Sequence, residues 1–203
     1  MTNVWQEILA AKREASGRWL FFRRAMAHPL QLATPMPSSA ALGRLVARHI
    51  PDLIRGPGPV IEVGGGTGVI TRELLDAGLA PDRLIVVELD PELAAYLRHK
   101  FPGLRVLAAD AGRLPELLPS SWRGKIGTVI NGVPMTVLSL TAQRQLIDAM
   151  LGVLGPKGRY LQYTYSLFSP LPARQLGLAG RRLGITFGNF PPASLWSFER
   201  QDA

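Results

Sequence analysis

The motif Val60-Ile-Glu-Val-Gly-Gly-Gly-Thr-Gly68 limits what this 203-residue chain can fold into more than any other feature. An apolar run ends in glycines, and a helical pattern with Val69, Ile70, Leu74 and Leu75 opens directly after it. Glycines at such a turn permit positive φ and let a ligand approach the backbone closely. Strand, glycine turn and helix in that order form the opening unit of an open, mostly parallel α/β sheet. The dinucleotide spacing G-x-G-x-x-G is not met, because valine follows Gly68. Tight packing without a ligand remains the alternative role for the turn.

The rest of the chain agrees with that opening. Short β-branched runs predict strands at residues 59–63, 84–88, 105–109, 127–131 and 159–165, alternating with helices at 69–77, 91–100 and 141–154. Leu154-Gly-Pro-Lys-Gly158 reads as a helix stop and turn. A helix over about 40–50 turns Leu42, Leu45, Val46, His49 and Ile50 inward, and residues 185–187 and 195–198 suggest a terminal antiparallel hairpin. Two further strand ends carry acids. Glu88 closes the second strand about 20 residues after the glycine turn, where a ribose diol finds paired acceptors, and Asp110 follows the third.

A glycine turn, Glu88 and Asp110 on three successive strand ends resemble the class I methyltransferases, over residues 59–165. The resemblance implies a Rossmann-like α/β fold with a mostly parallel seven-stranded sheet and helices on both faces. It also implies S-adenosylmethionine as cofactor and S-adenosylhomocysteine as product. By that likeness Glu62, Gly64, Gly65, Gly66, Thr67 and Gly68 hold the methionine part, Glu88 the ribose, Leu89 one face of the adenine, and Asp110 with Ala111 its edge. The family commonly has aspartate where Glu88 stands.

The fourth strand ends in Asn131-Gly-Val-Pro-Met135, similar to the Asn-Leu-Pro-Tyr motif of amino methyltransferases. An amide carbonyl there can hold a substrate N–H in line with the methyl group, and Asn131 then borders both cofactor and acceptor. Met135 replaces the motif's aromatic residue, which argues against a flipped, stacked base. Together with Phe21-Phe-Arg-Arg, Met36-Pro-Ser-Ser, Leu161-Gln-Tyr-Thr-Tyr and Asn189-Phe-Pro-Pro, the chain resembles the bacterial phospholipid N-methyltransferases. That likeness implies methylation of phosphatidylethanolamine, through mono- and dimethyl forms, to phosphatidylcholine. A ribosomal-RNA adenine dimethyltransferase and a non-catalytic, cofactor-binding membrane module are the alternatives. Tyr163 and Tyr165, at the end of the fifth strand, offer hydroxyls and π faces for a methylated ammonium, or else fill the core. Arg181 and Arg182 offer guanidinium groups to a lipid phosphate, or form an exposed loop pair.

A net charge of +8 and a pI near 10.6 point to an acidic partner. At the N-terminus Val4, Ile8, Ala11, Ala15, Trp19, Phe22 and Met26 form one helical stripe, bordered by Lys12 and Arg23, with Trp5 close by. This suits either an interfacial helix or an ordinary helix packed on the core. Taken as interfacial, residues 1–36 form a membrane-binding helix and linker, and 37–203 the methyltransferase domain. The expected partner is an anionic membrane surface, with no nucleic acid. No apolar run approaches the roughly 20 residues of a membrane span, and no signal-peptide pattern opens the chain. The expected location is therefore cytoplasmic, peripheral on the inner face of the cytoplasmic membrane. There is no cysteine, and His28, His49 and His99 lack ligand-like spacing, so no metal site is expected.

Overall fold

A computed structural model describes residues 38–49, 58–189 and 191–201. The N-terminal stripe, with Trp5, Lys12, Trp19, Phe22 and Arg23, lies outside the described residues, as does His28. The described helices are α1 (Ser38–Ala47), α2 (Val69–Asp76), α3 (Pro91–Lys100), α4 (Leu114–Leu117) and α5 (Leu140–Leu151). The strands are β1 (Val60–Val63), β2 (Leu84–Glu88), β3 (Arg105–Ala108), β4 (Ile126–Asn131), β5 (Leu154–Thr164), β6 (Leu178–Thr186) and β7 (Ala193–Arg200). They form one seven-stranded sheet in the order β3-β2-β1-β4-β5-β7-β6. Strands β1 to β5 pair in parallel, and β7 runs antiparallel between β5 and β6.

The sheet is covered on both faces, so β1 and β2 are buried at every position and apolar except at Glu62 and Glu88. Strand alternation separates two cores. Ile61, Val63 and Val129 meet Leu114, Leu146, Ile147 and Met150 of α4 and α5 on one face. On the other, Val60, Val86, Ile130 and Leu161 meet Leu42 and Val46 of α1, Ile70 and Leu74 of α2, and Leu97 of α3. Chain order reverses between β1 and β4. In open α/β sheets the crevice at the carboxyl ends of the strands beside such a switch is where ligands bind.

The structure corrects three local expectations. Helix α5 ends at Leu151, and Leu154 already pairs with Ile126, so Gly155-Pro-Lys-Gly158 is looped out of β5 rather than forming a turn before it. Proline lacks the N–H that a ladder needs, which explains the register shift between Ile126 and Thr128. The terminal hairpin exists, but β6 begins at Leu178, well before residue 185. Arg181 and Arg182 therefore stand inside an edge strand, opposite Ser197 and Trp196, and not in a loop.

Candidate active site

The turn after β1 is closed by the backbone itself: Gly64 N–H donates to Val87 O at 2.8 Å and Gly68 N–H to Gly65 O at 2.9 Å. Gly66 has φ +53, and no atom lies within 4 Å of where a Cβ would project. Its N–H donates to Glu88 Oε2 at 2.8 Å, while Asp90 N–H donates to Oε1 at 2.9 Å. Two backbone donors thus fix the Glu88 carboxylate at the end of β2. A carboxylate has about four acceptor positions, so about two remain for a diol.

Glu62 lies deeper, fully buried on the α1–α3 face. Its Oε2 accepts from Thr71 Oγ1 of α2 at 2.7 Å, and its Oε1 has no partner among the described residues. Burial, opposed by the Thr71 hydroxyl and reinforced by Glu88, pushes this carboxyl up from 4.5 to about 8. Half-buried Asp110 accepts from Gly112 N–H at 2.7 Å, and burial, opposed by that bond and by Arg113, raises its pKa from the ordinary aspartate value. Ala111 is buried beside it, and Leu89 is partly buried against the α4–α5 core. The glycine turn, Glu62, Glu88, Leu89, Asp110 and Ala111 therefore line up along the carboxyl ends of β1, β2 and β3.

The acceptor side departs more from expectation. Asn131 is fully buried, and most of its amide is engaged inside the protein: Nδ2 donates to Tyr160 Oη at 3.0 Å and to Gln162 Oε1 at 2.7 Å, while Oδ1 accepts from Val133 N–H at 2.9 Å. The Tyr160 hydroxyl donates to Gln162 Oε1 at 2.6 Å, and Gln162 Nε2 donates to the carbonyls of Asn131, Val133 and Tyr163 at 3.1 Å. The Asn131 amide thus belongs to a network that shapes the turn after β4, with both Nδ2 hydrogens engaged and one acceptor position left on Oδ1, the atom expected to meet a substrate N–H. Asn131 is a positioning residue in this conformation.

Tyr163 lies on the opposite face, because it differs in parity from Gln162. The side chains of Asn131 and Tyr163 do not share one pocket. The Tyr163 ring is part of the α1–α3 core, 7% exposed, and its hydroxyl reaches Gly132, where a Cβ would stand 2.1 Å away. Burial first, then Tyr165, Glu62 and Glu88, holds this phenol well above its ordinary pKa, so it is a hydrogen-bond donor and not a base. Tyr165 is half-buried and packs against the same face. Arg181 is not brought to this crevice, standing five residues before the carboxyl end of β6 and separated from β5 by β7.

Three residues of the site were not singled out from sequence: Thr71, Tyr160 and Gln162. The available signal was polarity in the wrong place, a threonine on the apolar stripe of α2 and a glutamine inside an apolar strand. A cavity of about 880 Å³, lined by Trp122, Lys125, Thr128 and Lys157 among others, lies at the opposite, amino edge of the sheet and includes none of the candidates. Among the described residues no acid or histidine cluster suits a metal ion, and no helix is long and apolar enough to cross a membrane.

No family model matches the chain. The ornithine lipid N-methyltransferase of Singulisphaera acidiphila is 32% identical over 149 residues, covering 72% of this chain and 77% of that protein. The chain belongs to its family of class I S-adenosylmethionine-dependent methyltransferases. This methyltransferase is also 50% identical to the ribosomal RNA small subunit methyltransferase A of Parabacteroides distasonis, but over 85 residues, 40% of this chain and 29% of that protein. Among solved structures, the 1,6-didemethyltoxoflavin-N1-methyltransferase of Burkholderia thailandensis, bound to its substrate and S-adenosylhomocysteine, superposes with a TM-score of 0.61 at 14% identity. The match covers 97% of this chain and 90% of that one. The magnesium protoporphyrin IX methyltransferase of Synechocystis PCC 6803, with bound S-adenosylmethionine, gives 0.60 at 15% identity over 81% of this chain and 80% of that one. Both share the fold.

S-adenosylmethionine is the cofactor of this methyltransferase. The residues fit it: open space over Gly66, two acceptor positions left on Glu88, and a buried Glu62 oxygen without a partner of its own.

Proposed function

We propose that the enzyme methylates the headgroup amine of a membrane lipid, taking phosphatidylethanolamine and its mono- and dimethyl derivatives towards phosphatidylcholine. The observation that carries this reading is the likeness to a lipid N-methyltransferase over 72% of the chain, against 40% for the ribosomal RNA enzyme. The cofactor supplies a methyl group on a positively charged sulfur, open to in-line attack by a neutral amine. The chain's residues bind and orient. The glycine turn, with Glu62, receives the methionine end of the cofactor, Glu88 its ribose, and Leu89, Asp110 and Ala111 its base. Asn131, Tyr160 and Gln162 hold the turn after β4 in one shape, which is a positioning contribution. Tyr165 offers its ring to the increasingly methylated cation, and the Tyr163 hydroxyl offers a donor at the same edge. Since Tyr163 stays protonated, the proton of the amine leaves through water or Tyr165.

Residues 1–36 serve as the membrane-binding segment, and the enzyme works peripherally on the inner face of the cytoplasmic membrane. The test is methyl-labelled cofactor with separate vesicles of phosphatidylethanolamine, its two partly methylated forms and ornithine lipid, and with ribosomal RNA, followed by identification of the labelled product. Label in phosphatidylethanolamine and its derivatives is the expected result. Label confined to ornithine lipid would replace the acceptor, and label confined to RNA would overturn the lipid reading.

A further inference from the structure

Six large apolar side chains are exposed among the described residues: Tyr96, Val137, Leu140, Leu167, Phe168 and Phe187. Tyr96 sits on α3, on the cofactor half. The other five occupy three crossings at one edge of the sheet. Val137 and Leu140 follow β4, Leu167 and Phe168 follow β5, and Phe187 follows β6. Strand β6 is antiparallel to β7, and β7 to β5, so β6 ends at the same edge as β4 and β5. The apolar side chains thus lie at the edge of the sheet that carries the crevice, on its β4 to β6 side. Phe168 and Phe187 are the extremes, 80% and 75% exposed.

The charge around them is equally uneven. Residues 132–139, 165–177 and 187–192 contain no aspartate or glutamate, whereas Asp90, Glu92 and Asp110 stand at the strand ends of the cofactor half. Arg174 lies in the second segment, and Arg182 donates from β6 to Leu167 O at 3.1 Å, which places a guanidinium under the Leu167–Phe168 pair. A water-soluble acceptor gives no reason to keep two phenylalanines in solvent at the mouth of a site; RNA bases can stack on such rings, but an RNA acceptor also calls for a dense row of cations beside them, and these three segments carry Arg174 alone. An acid-free apolar rim with arginines behind it matches a bilayer carrying negative headgroups, with the rings at the acyl boundary and the cations at the phosphates.

We infer that the loops after β4, β5 and β6 form a membrane-docking rim, with Phe168 and Phe187 as its inserted tips, which seats the mouth of the active site on an anionic phospholipid bilayer. This rests on the lipid-acceptor reading and adds to it the orientation of the enzyme. The crevice then faces the headgroups directly, so an amine enters without its lipid leaving the leaflet.

The chain has no cysteine, so single labels can be placed at will. In the full-length protein, F168C, F187C and, at the exposed amino edge, S121C each carry a polarity-sensitive fluorophore and are mixed with vesicles of phosphatidylethanolamine and phosphatidylglycerol. Blue shifts at 168 and 187, with none at 121, are expected. Labels at 168 and 187 that stay in water while the protein co-sediments with vesicles overturn the rim. So do labels already shielded before vesicles are added, which would mean that another part of this chain covers the loops. As a second measure, F168S/F187S should lower vesicle partitioning roughly tenfold or more and raise KM for vesicle substrate, while kcat on dispersed short-chain lipid is unchanged. Wild-type partitioning by that variant overturns the proposal. The fluorescence reads docking and the labelled product reads the acceptor, so the two conclusions fail separately.

Discussion

Replacing Glu62 with glutamine removes the most displaced carboxyl of the site while keeping its shape. In the folded protein this acid is held at about 8 against an ordinary 4.5, chiefly by burial. The folded state therefore binds the proton more tightly than the unfolded state. The stability associated with the protonated acid is fully present below about pH 4.5 and is lost as pH rises through about 8. At about 1.4 kcal/mol per pH unit, the loss across that window totals about 5 kcal/mol. Glutamine cannot ionise and should escape it. Its amide still accepts from Thr71, but its NH₂ occupies the place of the unpartnered Oε1 and costs about 1–3 kcal/mol at every pH. E62Q is thus expected to be somewhat less stable than the wild type near pH 5 and more stable near pH 9. Guanidinium unfolding of the cofactor-free proteins at a series of pH values measures the difference. A difference that does not change with pH would refute the burial argument. The positive charges of the cofactor should also favour ionised Glu62, so wild-type binding near pH 7 releases a proton and E62Q binding does not, as calorimetry in buffers of differing ionisation enthalpy can read.

Five further perturbations address the rest of the site and the N-terminal stripe. G66D places a side chain at a positive φ, in space left for the cofactor, and E88A removes both acceptors held by Gly66 and Asp90; each should weaken S-adenosylmethionine binding at least tenfold by calorimetry on folded protein. Q162L removes one of the two acceptors of the Asn131 amide, the acceptor of the Tyr160 hydroxyl and the amide donor to three carbonyls, and should cost about 3–5 kcal/mol in denaturant unfolding, at about 1–3 kcal/mol for each buried group left unpaired. Tyr165→Ala should slow methylation of dimethyl-phosphatidylethanolamine more than Tyr165→Phe does, since the ring contact with a cation is worth roughly 0.5–2 kcal/mol; equal rates for the wild type and both variants would remove the residue from the site. Deletion of residues 1–24 should lower sedimentation with anionic vesicles in a salt-sensitive way, and unchanged sedimentation by a folded deletion variant would end the role assigned to that stripe.

The cofactor half was legible because its information is local. A strand, a glycine turn and a helix follow one another within residues 60–76, and Glu88 reaches Gly66 from the end of the next strand. The acceptor half was not, because its contacts are long-range. Nothing near Asn131 in sequence reveals that Tyr160 and Gln162 will occupy its amide. Strand β6 was read too short for a similar reason. Gly180 and Gly184 leave their positions to Phe198 and Leu45, which fill that space from β7 and α1, so the expected alternation of side chains is supplied partly by other elements. On an edge strand Arg181 and Arg182 can face solvent, and a pair of arginines reads locally as a loop.

The contact between Gly132 and the Tyr163 hydroxyl couples these two positions. A Cβ at 132 would stand only 2.1 Å from that oxygen, so a larger residue at 132 forces the buried Tyr163 ring to shift. The reverse order is open: a smaller residue at 163 vacates the space, and a side chain at 132 then becomes tolerable. Any change to the shape of the turn after β4 that adds a side chain at 132 therefore begins at the phenol of β5, so the two strand ends are to be altered as a pair.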